Sequence, residues 1–213
     1  MFPLGAALLP GESLPLRIFE PRYRQMLHDC LAGDAPPDGS TADDPPLSGF
    51  GVVLIARGRE VGGGDVRHDV GTFADIDTAV TEPDGQALIS CTGTWRFRVV
   101  DWLPDDPYPR ALIRPLSEPS LDDASVRRLT GIGARVRQLV EESFAARGVP
   151  LDDDVPLFDA ADLATVGVFG WAARLPIGPA DRQELLEAAD YPTRCHVFDE
   201  AVATMEARIR FGA

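Results

Sequence analysis

The side chains with the widest chemical range in this chain are three histidines, His28, His68 and His196, and three cysteines, of which Cys30 and Cys195 each stand within two positions of a histidine. Imidazole and thiolate together suggest zinc, but a zinc site needs ligands at converging spacings such as C-x-x-C or H-E-x-x-H, and neither pattern occurs. His28 and Cys30 fall at the end of a first helix. Cys195 and His196 are neighbours on a last one and point about 100° apart. Buried cysteine and surface histidine, with no metal and no cofactor, is the reading that remains. Asp65, His68 and Asp69 can be drawn as a carboxylate–imidazole set, yet in a strand His68 faces away from Asp69, so a charged hairpin is simpler. No G-x-S-x-G elbow is present. The triplet Gly62, Gly63, Gly64 has neither the lysine nor the following helix of a phosphate loop. All 20 basic residues are arginine, which excludes a P-loop amine, a Schiff-base lysine and a Ser-Lys dyad. The run Asp152, Asp153, Asp154 lacks the alternating ligands and fixed glycine of a calcium loop. No residue qualifies as catalytic.

Arg96 and Arg98 alternate with Trp95 and Phe97, close to Trp102, a pattern that a single-stranded nucleic-acid platform would use. The formal net charge of −14 opposes that use and also opposes binding to anionic membrane. The simpler reading puts the aromatics in a core and pairs the guanidiniums with the excess carboxylates. An odd number of cysteines without paired spacing builds no disulfide framework and fits a reducing cytoplasm. Every apolar run is broken by Gly, Pro or charge well short of a membrane span. The first sixteen residues, apolar but rich in proline and without a basic start, read as an opening strand and not as a signal peptide.

The elements that must position these residues change character near Leu116–Ser120. Before that point the chain reads as short strands and turns. The run from Phe50 to Ala56 suits a strand buried on both faces. Val70 to Asp77 begins another, Pro83, Asp84 and Gly85 make a turn, and QALISC, TWRFRVV and YPRALIRPL follow as strands. One helix interrupts them, starting around Glu20 and Pro21. Its inward stripe is Tyr23, Met26, Leu27 and Leu31, and it stops at Gly33. Leu16, Ile18 and Phe19 before it are expected to pack inward, with Glu20 as its cap. The segment from Gly33 to Gly49, rich in Pro and Asp, reads as a solvated mobile loop. From Ser120, which with Asp123 suggests a capping box, the period becomes helical. Leu129, Ile132, Val136, Leu139 and Val140 form one stripe, with Gly131 and Gly133 inside it as points of close packing. Helices over about 159–174, 179–188 and 192–210 follow. The fold class is therefore α+β: strands over 1–118 that suggest a small barrel, then a helical bundle over 119–213.

The order of segments is specific where single motifs are not. LLPGESLPLRIFEPRYRQML, FGVVLI, VGT-x-x-x-I at Val70 to Ile76, PDG at Pro83 to Gly85, G-x-x-RF at Gly93 to Phe97 and PYPRA at Pro107 to Ala111 resemble, in that order, the amino-terminal substrate-binding domain of the Lon protease family. RQELLEAADYPTRCHVF, Arg182 to Phe198, resembles the same family's helical part. The resemblance implies a PUA-like β-barrel followed by a helical bundle and a role in holding protein substrates, and it puts the end of the chain where the ATPase module of a full Lon would begin.

The expected function is non-catalytic binding of exposed hydrophobic or unfolded polypeptide segments, as an adaptor in protein quality control. Exposed aromatics and arginines carry binding energy, so Arg22, Arg24, Trp102 and Tyr108 are the candidate partner-binding residues. A groove between barrel and bundle is the expected place, and the net charge is expected to favour basic or neutral apolar segments. Two other readings stay open at this point: a small hydrolase with its site in that groove, and a PUA-like RNA-binding module.

Overall fold

The computed structural model describes residues 1–32, 48–58, 65–150 and 158–211. The expected mobile loop falls mainly on 33–47, and the glycine triplet and the acidic run also lie outside the described residues. The chain divides into two compact units, Met1–Ser117 and Glu118–Ala213.

The first unit is a six-stranded mixed sheet with one helix. The strands are β1 (Phe2–Leu4), β2 (Ser13–Ile18), β3 (Gly49–Arg57), β4 (Val66–Thr81), β5 (Ala87–Leu103) and β6 (Arg110–Pro115); the helix is α1 (Pro21–Ala32). Their order is β1-β3-β4-β5-β2, with β6 also on β5. The apolar opening thus forms two strands, not one: β1 pairs parallel with β3, and β2 pairs antiparallel with β5. QALISC and TWRFRVV join into the single long β5, whose first part pairs with β2 and whose second part pairs with β6. Shifts of register along β4 and β5 mark bulges that bend so long a ladder. The ends of the sheet meet where the Met1 ammonium donates to the Pro109 carbonyl at 2.7 Å.

β3 is buried continuously from Gly49 to Leu54, as its unbroken apolar run requires. Val52 points into a cluster with Phe2, Tyr23, Met26, Ile89 and Cys91. Val53 points into a second cluster with Phe73, Phe97 and Val99. Phe97 is fully buried, and its ring tip occupies space that Gly51 and Gly71 leave open: a Cβ on either would lie within 2.8 Å of Cζ.

Several expectations fail for local reasons. Arg96, expected on the solvated face, is 1% exposed, and its guanidinium reaches the Ser117 carbonyl. Phe19, expected inward, is 53% exposed, because β2 ends at Ile18 and the chain turns before α1. The Glu20 side chain binds Arg22 at 3.1 Å, while it is the Glu20 carbonyl that receives the Tyr23 and Arg24 N–H groups. Leu31 is 51% exposed. At about 100° per residue it lies at the edge of the Tyr23–Met26–Leu27 stripe, whereas Cys30 falls at its centre and packs against the core.

The second unit is helical: α2 (Asp123–Ala146), α3 (Ala160–Ala173), α4 (Pro179–Glu187) and α5 (Tyr191–Phe211). Asp122, not Ser120, caps α2, accepting from the Ser125 N–H at 2.7 Å. Asp159 caps α3 in the same way. Trp171 is fully buried, stacks edge-on to Phe158 and donates to Asp162 at 2.9 Å. Arg194 is also buried; it lies over the Phe169 and Tyr191 rings and bonds to Glu118 at 2.8 Å. Ile209 at the end of α5 is 49% exposed.

The two glycines of α2 differ. A Cβ on Gly133 would stand 2.1 Å from the Phe158 carbonyl oxygen, while one on Gly131 would meet nothing. Gly131→Ala is expected to stabilise the unit by about 1 kcal/mol through helix propensity, and Gly133→Ala to destabilise it; urea unfolding of both variants checks the opposite signs. Phe97→Ala is expected to lose about 3–5 kcal/mol in the same measurement, and a loss below about 1 kcal/mol would contradict its place over Gly51 and Gly71.

Candidate functional site

Among the described residues of the first unit, α1 and the β4–β5 hairpin bound a groove of about 700 Å³. Its size is that of a ligand-binding cleft. Leu27, Leu31, Ala32, Pro21 and Ala87 supply the apolar part, and Arg24, Gln25, His28 and Thr81 the polar part. The helix presents these side chains because Arg24, Leu27, His28 and Leu31 recur at three- and four-residue spacing on one face. The hairpin supplies the opposite wall through Thr81 and Ala87, directly paired across the strands. Its turn closes with Gly85 at φ +79°, where the Gly85 N–H donates to the Glu82 carbonyl at 2.9 Å.

Of the four candidate binding residues, Arg24 lines this groove and the other three do not. The Arg24 guanidinium lies against Gly85, in space that any side chain there would take: a Cβ would sit 2.1 Å from Nη2. Arg22 turns the other way, to Glu20 and over the Tyr23 ring at 4.5 Å. Trp102 is half-buried, donates to Asp69 at 3.0 Å and carries the Arg67 guanidinium 5.0 Å from its ring centre. Arg67 in turn binds Asp65 and Asp105, which holds the Asp65 carboxyl below its ordinary range against the effect of burial. Asp65, His68 and Asp69 therefore form no catalytic set: Asp65 is committed to Arg67 and Asp69 to Trp102. Tyr108 donates to Asp29 at 2.8 Å and packs against the core.

The buried Arg96 leaves Trp95 and Phe97 without the displayed cationic row that a nucleic-acid platform needs. Cys195 is buried and His196 exposed beside Glu200, so that pair offers no shared ligand geometry. Among the described residues no group of three or more His, Cys, Asp or Glu could hold a metal ion. No described helix is long and apolar enough to cross a membrane.

A mixed sheet followed by helices, with an apolar groove beside α1, defines a protein of α+β class. The family model of the ATP-dependent protease La (LON) substrate-binding domain matches residues 1–198, and the chain belongs to that family. It is 28% identical over 131 residues to a Lon protease of Phenylobacterium zucineum, and 31% identical over 130 residues to Lon protease 2 of Herpetosiphon aurantiacus. Each match covers 60% of this chain but only 16% and 15% of those proteins, so the chain spans about a sixth of the curated relatives' length. Among solved structures it is similar to a Lon N-terminal domain protein from Xanthomonas campestris, with TM-score 0.61, 25% identity and 92% of each chain covered. The N-terminal domain of Mycobacterium avium complex Lon protease shares the fold at TM-score 0.53 and 16% identity, covering 94% of this chain and 96% of that one.

Sequence reasoning missed Leu31, His28, Thr81 and Ala87 as groove residues. The available signal was angular: Leu31 falls about 80° from Tyr23 around the helix, nearer to Arg24 than to Met26.

Burial pushes the phenols of Tyr23 and Tyr108 from 10.0 up to about 12, and for Tyr108 the bond to Asp29 adds to the effect. An unfolded chain ionises first, so between pH 10 and 12 the folded state holds more protons and stability falls as pH rises. Tyr23→Phe with Tyr108→Phe is expected to flatten that decline, measured as urea midpoints at pH 9 and pH 11; an unchanged slope would contradict the assignment.

Proposed function

We propose that this chain is a non-catalytic module that binds exposed apolar segments of polypeptides and presents them, as an adaptor does, within protein quality control. The observation that carries the reading is the groove beside α1, apolar along Leu27, Leu31 and Ala87 and open to solvent at Leu31. Membership of a substrate-binding family supplies the class of ligand. A half-exposed leucine at the mouth of a cleft is where an incoming apolar side chain removes the most water.

The binding role falls to the groove and Arg24 in preference to Arg22, Trp102 and Tyr108, whose polar ends are already bonded within the unit. Its three cysteines are free thiols, which suits a reducing compartment such as the cytoplasm. A flexible ligand loses conformational entropy on binding, so micromolar or weaker affinity is expected.

The test is fluorescence anisotropy of a reduced, unfolded model protein and of its native form against the whole chain at two salt concentrations. The unfolded form is expected to bind and the native form not, with most of the affinity surviving salt because apolar burial is not screened. Leu31→Asp is expected to weaken binding about tenfold or more while leaving the urea midpoint unchanged, since it puts a charge against an apolar ligand. Equal binding to both forms, or none to either, would overturn the reading.

A further inference from the structure

We infer that the groove selects apolar segments carrying an acidic side chain beside their apolar anchor, and that Arg24 reads that carboxylate. The inference rests on the proposed reading of the groove as a polypeptide site and names the kind of segment it takes.

The chain has 34 acidic residues against 20 arginines, so a guanidinium would be expected to find a carboxylate of its own. Arg17 pairs with Glu82, Arg22 with Glu20, Arg67 with Asp65 and Asp105, Arg135 with Asp199 and Arg174 with Asp162. The Arg24 side chain is exposed, and its guanidinium makes no ion pair or hydrogen bond with any described residue. The acids nearest to it in the hairpin turn are engaged elsewhere: Glu82 faces Arg17, and Asp84 accepts from the Gln86 backbone and side chain. No Asp or Glu occurs among the described lining residues. Among the described residues the groove rim is therefore locally cationic, on a protein whose net charge is −14. Repulsion of an acidic ligand by charges farther off than about 8–10 Å is largely screened at ordinary ionic strength, whereas a contact with Arg24 is screened less. Charge complementarity at the groove thus runs opposite to what net charge alone implies, and favours an acidic over a basic neighbour to the apolar anchor.

The carboxylate is a side chain and not a free C-terminus. Capture of a terminal carboxylate uses convergent backbone N–H groups. Those at this rim are already bonded: Tyr23 and Arg24 donate to the Glu20 carbonyl, Gly85 donates to Glu82, and Gln86 donates to Asp84. A single guanidinium fork, held over Gly85, suits one side-chain carboxylate reached from an internal segment.

The experiment uses the full chain and four labelled peptides sharing one apolar core. Three have amidated ends and a flanking Glu, Gln or Lys; the fourth has the Gln flank and a free C-terminal carboxylate. Anisotropy is expected to rank Glu above Gln above Lys, with about threefold between the first two, the size of an exposed ion pair. The free carboxylate is expected to add nothing. Arg24→Glu should reverse the order of Glu and Lys while the urea midpoint stays the same. Equal binding of all four peptides, unaffected by Arg24→Glu, would overturn the inference and leave the apolar groove standing. A gain from the free carboxylate equal to that from Glu would overturn the choice of a side chain. Binding of none would overturn both readings. Sedimentation showing a dimer that Leu31→Asp dissociates would assign the groove to a second copy and overturn the inference as well.

Discussion

The first unit depends on how closely β3 and β4 can approach the ring of Phe97. Gly51 and Gly71 lie beneath that ring on two adjacent strands, and either Cβ would collide with it or with Val52 and Met1. With no side chains there, one aromatic from β5 covers both neighbouring strands, and its fully buried ring excludes water from the centre of the second cluster. The register follows: Gly71 must stand opposite Phe97 and Val53, as it does. A slip of one residue would turn every core side chain of β5 outward. Once β4 and β5 are locked, the hairpin they form is fixed out to Thr81 and Ala87, and that hairpin is one wall of the groove.

The other wall is set by α1, and here one helix serves two purposes. Tyr23, Met26, Leu27 and Cys30 face the core, while Arg24, His28 and Leu31 lie about 100° around the cylinder on the groove side. Leu27 borders both. An apolar stripe wider than the core needs is what leaves Leu31 uncovered, and the same geometry places Arg24 next to it. Apolar and cationic character therefore adjoin because of helix periodicity, without any further element.

Much of the architecture was legible in the residues. The change from strand to helix periods, the buried run of β3, the Pro83–Gly85 turn and the positions of α3 and α4 follow from hydrophobic pattern and turn chemistry, and the order of short motifs pointed to the family that matches. What escaped was whatever depends on partners distant in sequence. Arg96 alternates with core aromatics and so resembles a surface residue; its burial requires the Ser117 carbonyl, 21 residues away. Glu20 resembles a cap until Arg22 is seen to claim its side chain. Trp102 and Tyr108 resemble exposed binding residues because aspartates 33 and 79 positions away, which bind them, cannot be found by spacing. The groove escaped for the same reason, since Leu31 and Thr81 come together only when the hairpin folds over the helix.

Net charge averages over carboxylates that are already neutralised in pairs. Asp65, Asp162 and Asp199 each hold an arginine, and Asp122 and Asp159 cap helices. These charges contribute to the distant field but are not displayed to a ligand in contact. What a ligand meets is set within a few ångströms, where an ion pair outweighs a screened monopole. Among the described residues of the α1 groove that local inventory is apolar surface with the Arg24 guanidinium, which none of them binds. An acidic protein can in this way carry a site whose preference is for acid, provided that the site's own cation is kept from its neighbours, as Gly85 and the engaged Glu82 and Asp84 keep Arg24.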